Sequence, residues 1–161
     1  MVREHLSDRM KAAGRDLLAV TDALEMRAQG AMWLYDHSLK DWRFYIVTSL
    51  VDVIGRRKTY QLLLEAFERI DLPEDVTIED VYLGSPTDLV FQYVSRAVGV
   101  SDDSQVTVNN CSFDGLLFDG VIYRSVKAVP SAGEAKRIER RFSGHVKNLP
   151  RRVETVATER V

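Results

Sequence analysis

Few residues in this chain have a type and spacing that could do chemistry, and each has a plainer use. The three histidines, His5, His37 and His145, lie far apart. None has a second histidine or a cysteine at the short spacing a zinc site draws on. No metal ligand set and no cofactor are expected. Cys111 is the single cysteine. It falls in a predicted strand beside Asn109 and Asn110, with no cation next to it to hold a thiolate. It reads as a small apolar side chain, and one cysteine excludes an internal disulfide. No serine lies in a Gly-x-Ser-x-Gly elbow. Neither the Gly-x-x-x-x-Gly-Lys-Ser/Thr phosphate loop nor the Gly-x-Gly-x-x-Gly fingerprint occurs.

The carboxylates are the next candidates. A divalent-metal nuclease gathers acids and a lysine around the ion and an attacking water. Asp52, Glu79 and Asp80 qualify by position, but no Glu-x-Lys pair accompanies them on a strand. Glu134-Ala135-Lys136 has the spacing on a predicted helix. The segment Asp36-His37-Ser38-Leu39-Lys40-Asp41 holds two acids and a histidine, a set acid–base catalysis uses and a polar hairpin loop uses equally. Gly84-Ser85 followed by Asp88 is similar to the opening of a nucleotidyltransferase site, without the two metal-binding acids such a site requires. A helix start explains it better, with Ser85 as cap, Pro86 at the first helical position and Asp88 closing a capping box. No catalytic residue is assigned.

These groups must be carried by elements that the hydrophobic pattern predicts. Leu6, Met10, Ala13, Leu17, Val20 and Leu24 recur at alternating steps of four and three residues. They form one stripe along a helix over 3–29, ended by Gly30. Residues 31–35 and 42–50 read as strands joined by a polar loop, an antiparallel hairpin. Trp33, Tyr35, Trp42, Phe44 and Tyr45 crowd it. Single-stranded nucleic-acid binders use such rings beside cations; here the cations are few, Lys40 and Arg43, and core packing is the expected use. A helix over 59–70, a strand over 76–83 and a helix from Ser85 to Val98 follow. Strands over 105–111 and 121–129 close the series. Asp114-Gly115 and Asp119-Gly120 read as tight turns on either side of Leu116-Leu117-Phe118. Residues 134–146 read as a charged helix, with disorder beyond Asn148.

This order predicts an α+β fold: a mixed, mainly antiparallel sheet of five or six strands, the long N-terminal amphipathic helix and two further core helices. Residues 1–130 form the expected domain, and 131–161 a basic C-terminal helix and tail. An apolar content of 45% and a charged content of 29% fit a soluble globular chain. No stretch approaches the ~20 apolar residues of a membrane span, and the N-terminus lacks the apolar core of a signal peptide. The expected location is the cytoplasm, with no membrane partner. The net charge of −2 hides an asymmetry. Residues 71–119 hold ten acids against one base, Arg96, and 134–161 hold eight bases against four acids.

Trp33-Leu34-Tyr35, Trp42, Ser49-Leu50-Val51-Asp52, Gly55 and Tyr60, with Val121-Ile122-Tyr123-Arg124 near the end, resemble a pattern found in a family of small uncharacterised bacterial proteins. The resemblance implies a stand-alone cytosolic bacterial protein and transfers no catalytic residue. The leading expectation is a non-enzymatic protein that works by association, with itself or in a larger assembly. Its expected interaction residues are Leu6, Met10, Leu17, Val20 and Leu24. A second expectation is nucleic-acid binding through Lys136, Arg137, Arg140, Arg141, Lys147, Arg151 and Arg152. The third is the metal nuclease on Asp52, Glu79 or Asp80.

Overall fold

Helix α1 (Asp8–Ala23) begins where the Ser7 hydroxyl accepts the Met10 N–H at 3.1 Å, which satisfies one of the unpaired donors of a first turn. The computed structural model describes residues 5–72, 76–101, 104–113, 116–127 and 130–151, with backbone alone at 110, 111, 113 and 116. Strands β1 (Gly30–Asp36) and β2 (Asp41–Val47) form an antiparallel hairpin with Gly30 opposite Val47 and Asp36 opposite Asp41. Its turn is held by Asp36, whose carboxylate accepts from the Ser38 N–H, the Ser38 hydroxyl and the Leu39 N–H. The Ser38 bond above all holds that carboxyl below the usual range.

Helices α2 (Leu50–Ile54) and α3 (Arg56–Arg69) follow, joined at Gly55 with φ +87°, a conformation that costs glycine little. A 3-10 turn (Ile78–Asp80) leads into β3 (Val81–Gly84), which runs parallel to β2. Helix α4 (Leu89–Ala97), the hairpin β4 (Val106–Phe113) and β5 (Leu116–Ser125), and helix α5 (Ala132–Lys147) complete the chain. The sheet order is β3-β2-β1-β5-β4. The fold is α+β as the pattern predicts, with a mostly antiparallel five-stranded sheet.

Both faces of the sheet are covered by helices. Trp33, Phe44, Ile46, Leu83 and Tyr123 bury on one face against α1, α3 and α5. Met32, Leu34, Val47 and Ile122 bury on the other against Phe91 and Val94 of α4. The Trp33 indole N–H donates to the Met10 carbonyl at 2.9 Å, and the Tyr123 hydroxyl to the Lys11 carbonyl at 2.6 Å. Burial raises the Tyr123 phenol above its ordinary value. Helix α5 belongs to this core through Ile138, Phe142 and Val146. Its last carbonyls accept from the Arg69 guanidinium, which bonds Val146, Lys147 and Leu149 in the manner of a cationic C-cap.

Several elements differ from the sequence expectation. Residues 50–54 are helical, where the pattern ended a strand at Leu50 and placed no element before residue 59. The predicted third strand is half 3-10 turn, because Asp80 accepts the Thr77 N–H at 3.0 Å and closes a capping box. Asp119-Gly120 is no turn. It lies inside β5, where a Cβ on Gly120 would stand 2.6 Å from the Trp33 carbonyl oxygen of β1. Asp114-Gly115 lies outside the described residues. Among the described residues no helix is long and apolar enough to cross a membrane.

Candidate functional site

The densest side-chain network joins the two segments that leave the parallel strand pair at its C-terminal end. In open sheets with parallel strands, that end is where ligands collect. Ser49, Asp52, Gly55, Arg56 and Tyr60 come from the segment after β2; Gly84 ends β3, and Ser85 to Asp88 come from the segment after it. The Ser85 hydroxyl lies 2.8 and 2.9 Å from the two Asp52 oxygens and carries one proton, which it donates to that carboxylate. Its lone pairs accept the Thr87 N–H at 3.1 Å and the Thr87 hydroxyl at 2.8 Å. Ser85 is buried, and these bonds make it the pin of the turn. Asp88 reaches back to the Ser85 N–H at 2.9 Å and pairs with Arg56 at 3.6 Å. The capping-box spacing is therefore real, but the box closes on a turn, and α4 starts after it with Asp88 as N-cap.

The same segment seals the edge of the sheet. The Tyr60 hydroxyl donates to the Val81 carbonyl at 3.0 Å and accepts the Leu83 N–H at 2.9 Å. The Arg56 Nε donates to the Leu83 carbonyl at 2.9 Å. Three outward backbone groups of β3 are thus satisfied by side chains, which removes a template for a foreign strand. Tyr60→Phe is expected to leave the Val81 carbonyl and the Leu83 N–H without this partner and to cost about 1–3 kcal/mol. A urea titration of both proteins measures it, and equal midpoints would show that the hydroxyl is not what holds this edge.

Beside the network a half-open cavity of about 280 Å³ is lined by Tyr45, Val47, Tyr82, Gly84, Asp88 and residues 89–91 at the start of α4. The Tyr45 and Tyr82 rings lie 4.9 Å apart, and the Arg56 guanidinium sits 5.4 Å from the Tyr82 centroid. Burial raises the Tyr45 phenol above its ordinary value. Leu89 is 64% exposed, the highest among the large apolar side chains described. A ring-lined groove beside an arginine matches the composition of protein contact sites.

The other sequence candidates scatter. Of the expected interaction stripe, Met10, Leu17 and Leu24 are buried in the chain's own core, and Leu6 and Val20 pack partly buried against it. The folded subunit uses the centre of that stripe against its own sheet and leaves only the flanks, at Leu6 and Val20, partly at the surface. Asp52 and the pair Glu79 and Asp80 lie at opposite ends of β3, and Asp80 is occupied by its capping box. Asp41 accepts its neighbour's N–H at 2.8 Å, and His37 lies 3.9 Å from Asp119, so the hairpin-loop set does not converge. His145 bonds Glu25 at 2.6 Å and holds the Glu25 carboxyl below its usual value. Among the described residues no group of three or more His, Cys, Asp or Glu could hold a metal ion. Lys136, Arg137, Arg140, Arg141, Lys147 and Arg151 are all exposed, because burial of Ile138, Phe142 and Val146 turns the opposite face of α5 outward. Arg152 lies outside the described residues.

Sequence reasoning missed the partnership of Tyr45 and Tyr82 and the sealing role of Tyr60 and Arg56. The resemblance marked Asp52, Gly55 and Tyr60, and nothing in their spacing ties them to Ser85. Set against known proteins, the chain matches no family model, no curated protein and no solved structure.

Proposed function

We propose that this protein works by association and not by catalysis, and that its contact surface is the groove of Tyr45, Tyr82 and Leu89 beside the network of Asp52, Arg56, Ser85 and Asp88. The observation that carries this reading is Leu89, exposed beside two tyrosine rings in tilted contact on a backbone held by that network. Exposed apolar side chains that stand singly need no explanation; one that adjoins a ring pair and a cavity does. The occupant this geometry suits is a protein segment that seats one apolar side chain between the rings and the start of α4. The test is purification of the chain from its native cell with partners attached, repeated with Tyr82→Ala and Leu89→Asp. Recovery of a specific partner is expected to fall about tenfold or more, as for a hot-spot residue. A partner recovered equally with all three proteins would place the contact elsewhere.

A second reading is supported by α5. Its cations project from one side of a helix anchored in the core, which is a rigid charged surface of the kind that meets a polyanion. Charge reversal at Arg137, Arg140 and Arg141 should abolish any salt-sensitive binding of DNA or RNA. Binding left unchanged by that reversal would remove this reading.

A further inference from the structure

The two edges of the sheet are treated in opposite ways. Edge β3 is short and sealed by Tyr60 and Arg56. Edge β4 is twice as long, Val106–Phe113 against Val81–Gly84. Among the described residues no hydrogen bond reaches β4 from any element except β5. An edge strand points alternate N–H and C=O groups outward, and proteins that must stay single blunt such an edge with lysine, proline or an inward charge. β4 carries no lysine, proline or charge; the one protective feature it has is the bulge between Val108 and Cys111, which leaves the stretch before it open. Residues 104–113 form the longest uncharged run in a chain whose residues are 29% charged.

We propose that β4 pairs antiparallel with β4 of a second copy across a two-fold axis, joining two five-stranded sheets into one. The occupant follows from the charge pattern. Pairing about a two-fold sets a strand against itself, so any charged residue near the axis would face its own kind, which is unfavourable. A strand meant for a foreign segment has no reason to be neutral throughout; one meant for itself does. The register break between Val108 and Cys111 bends the strand, which confines the shared ladder to the stretch before it and puts the axis near Thr107. Thr107 and Asn109 are exposed, and threonines facing each other on a sheet surface form a favourable cross-strand pair. The inference rests on the reading of the chain as an association protein but uses a different surface, and the two grooves would lie at the far ends of the joined sheet.

Sedimentation velocity of the full chain is expected to show a dimer at tens of micromolar. Thr107→Lys and Asn109→Lys should each weaken self-association about tenfold or more, with unfolding midpoints equal to the parent's at concentrations where all are monomeric. Thr107→Cys in a Cys111→Ser background should cross-link to a dimer on mild oxidation, which gives a positive readout even if a lysine variant folds poorly. Tyr82→Ala should leave the dimer intact, so that loss of groove binding and loss of the dimer are separable. A monomer at all concentrations overturns the proposal. So does a dimer that survives both lysine variants and forms no cross-link, or one broken by Leu89→Asp and kept by Thr107→Lys. Capture of an unrelated extended peptide by a monomeric chain, lost in Thr107→Lys, would give the edge to a foreign strand and overturn it equally.

Discussion

Gly14→Val is expected to destabilise the fold by about 3 kcal/mol, and Gly14→Ala by a smaller amount in the same direction. The sign is the informative part. Glycine inside a helix costs roughly 1 kcal/mol relative to alanine, so on helix propensity alone Gly14→Ala would stabilise α1. The packing says otherwise. A Cβ at position 14 would stand 2.6 Å from the Trp33 indole nitrogen, 2.9 Å from Phe44 and 2.9 Å from Tyr123. All three rings are fully buried. Trp33 and Phe44 pack edge to face at 5.1 Å, and the indole N–H is committed to the Met10 carbonyl, so none can withdraw without breaking a second contact. The helix has to lie close to the sheet here, and glycine is what permits it. Guanidinium titrations followed by tryptophan fluorescence, repeated in a Trp42→Phe background, give both the loss and a local report from Trp33. Alanine more stable than glycine would mean that the aromatic layer yields and that the close approach is incidental.

What the sequence made legible was whatever a local period encodes. The α1 stripe, the aromatic hairpin and the order of elements follow from side-chain alternation in one segment, and they recur in the structure, although α1 stops at Ala23, six residues short of its expected end, and Gly30 opens β1 instead of ending the helix. What it hid was whatever depends on a second segment. Asp119-Gly120 has turn chemistry, yet the glycine serves a close approach to β1 that only the paired sheet reveals. Ser85 and Asp88 have the spacing of a helix cap, yet Ser85 is turned to Asp52, thirty-three residues earlier. Tyr60 looks like one more apolar-side residue of α3, and its hydroxyl is defined only once β3 lies beside it. The basic C-terminal segment reads as polar by composition, because burying Ile138, Phe142 and Val146 needs just one residue per turn. The candidate surface was invisible for the same reason: Tyr45 and Tyr82 become neighbours through the parallel pairing of β2 and β3, and no spacing within either strand announces it.

Leu17→Asp is expected to abolish the native state at every protein concentration. Leu17 has 0% exposure at the centre of the layer between α1 and the sheet. Leu17→Ala alone should cost about 2–5 kcal/mol through lost burial and a cavity, against a total stability of roughly 5–15 kcal/mol for a domain of this kind. An aspartate adds a charge with no partner in an apolar layer, a cost several times that of a neutral cavity unless the group takes up a proton. The informative comparison is with concentration. A residue that seals an interface between subunits loses stability in a way that more protein restores, because association and folding are linked by mass action. A residue buried inside one subunit does not. The unfolding midpoint of Leu17→Ala should therefore fall well below that of the parent, and the gap between the two should stay the same over a hundredfold range of concentration. A gap that closes as concentration rises would return α1 to the role of an interface and leave no ground for placing association on the grooved face and on β4.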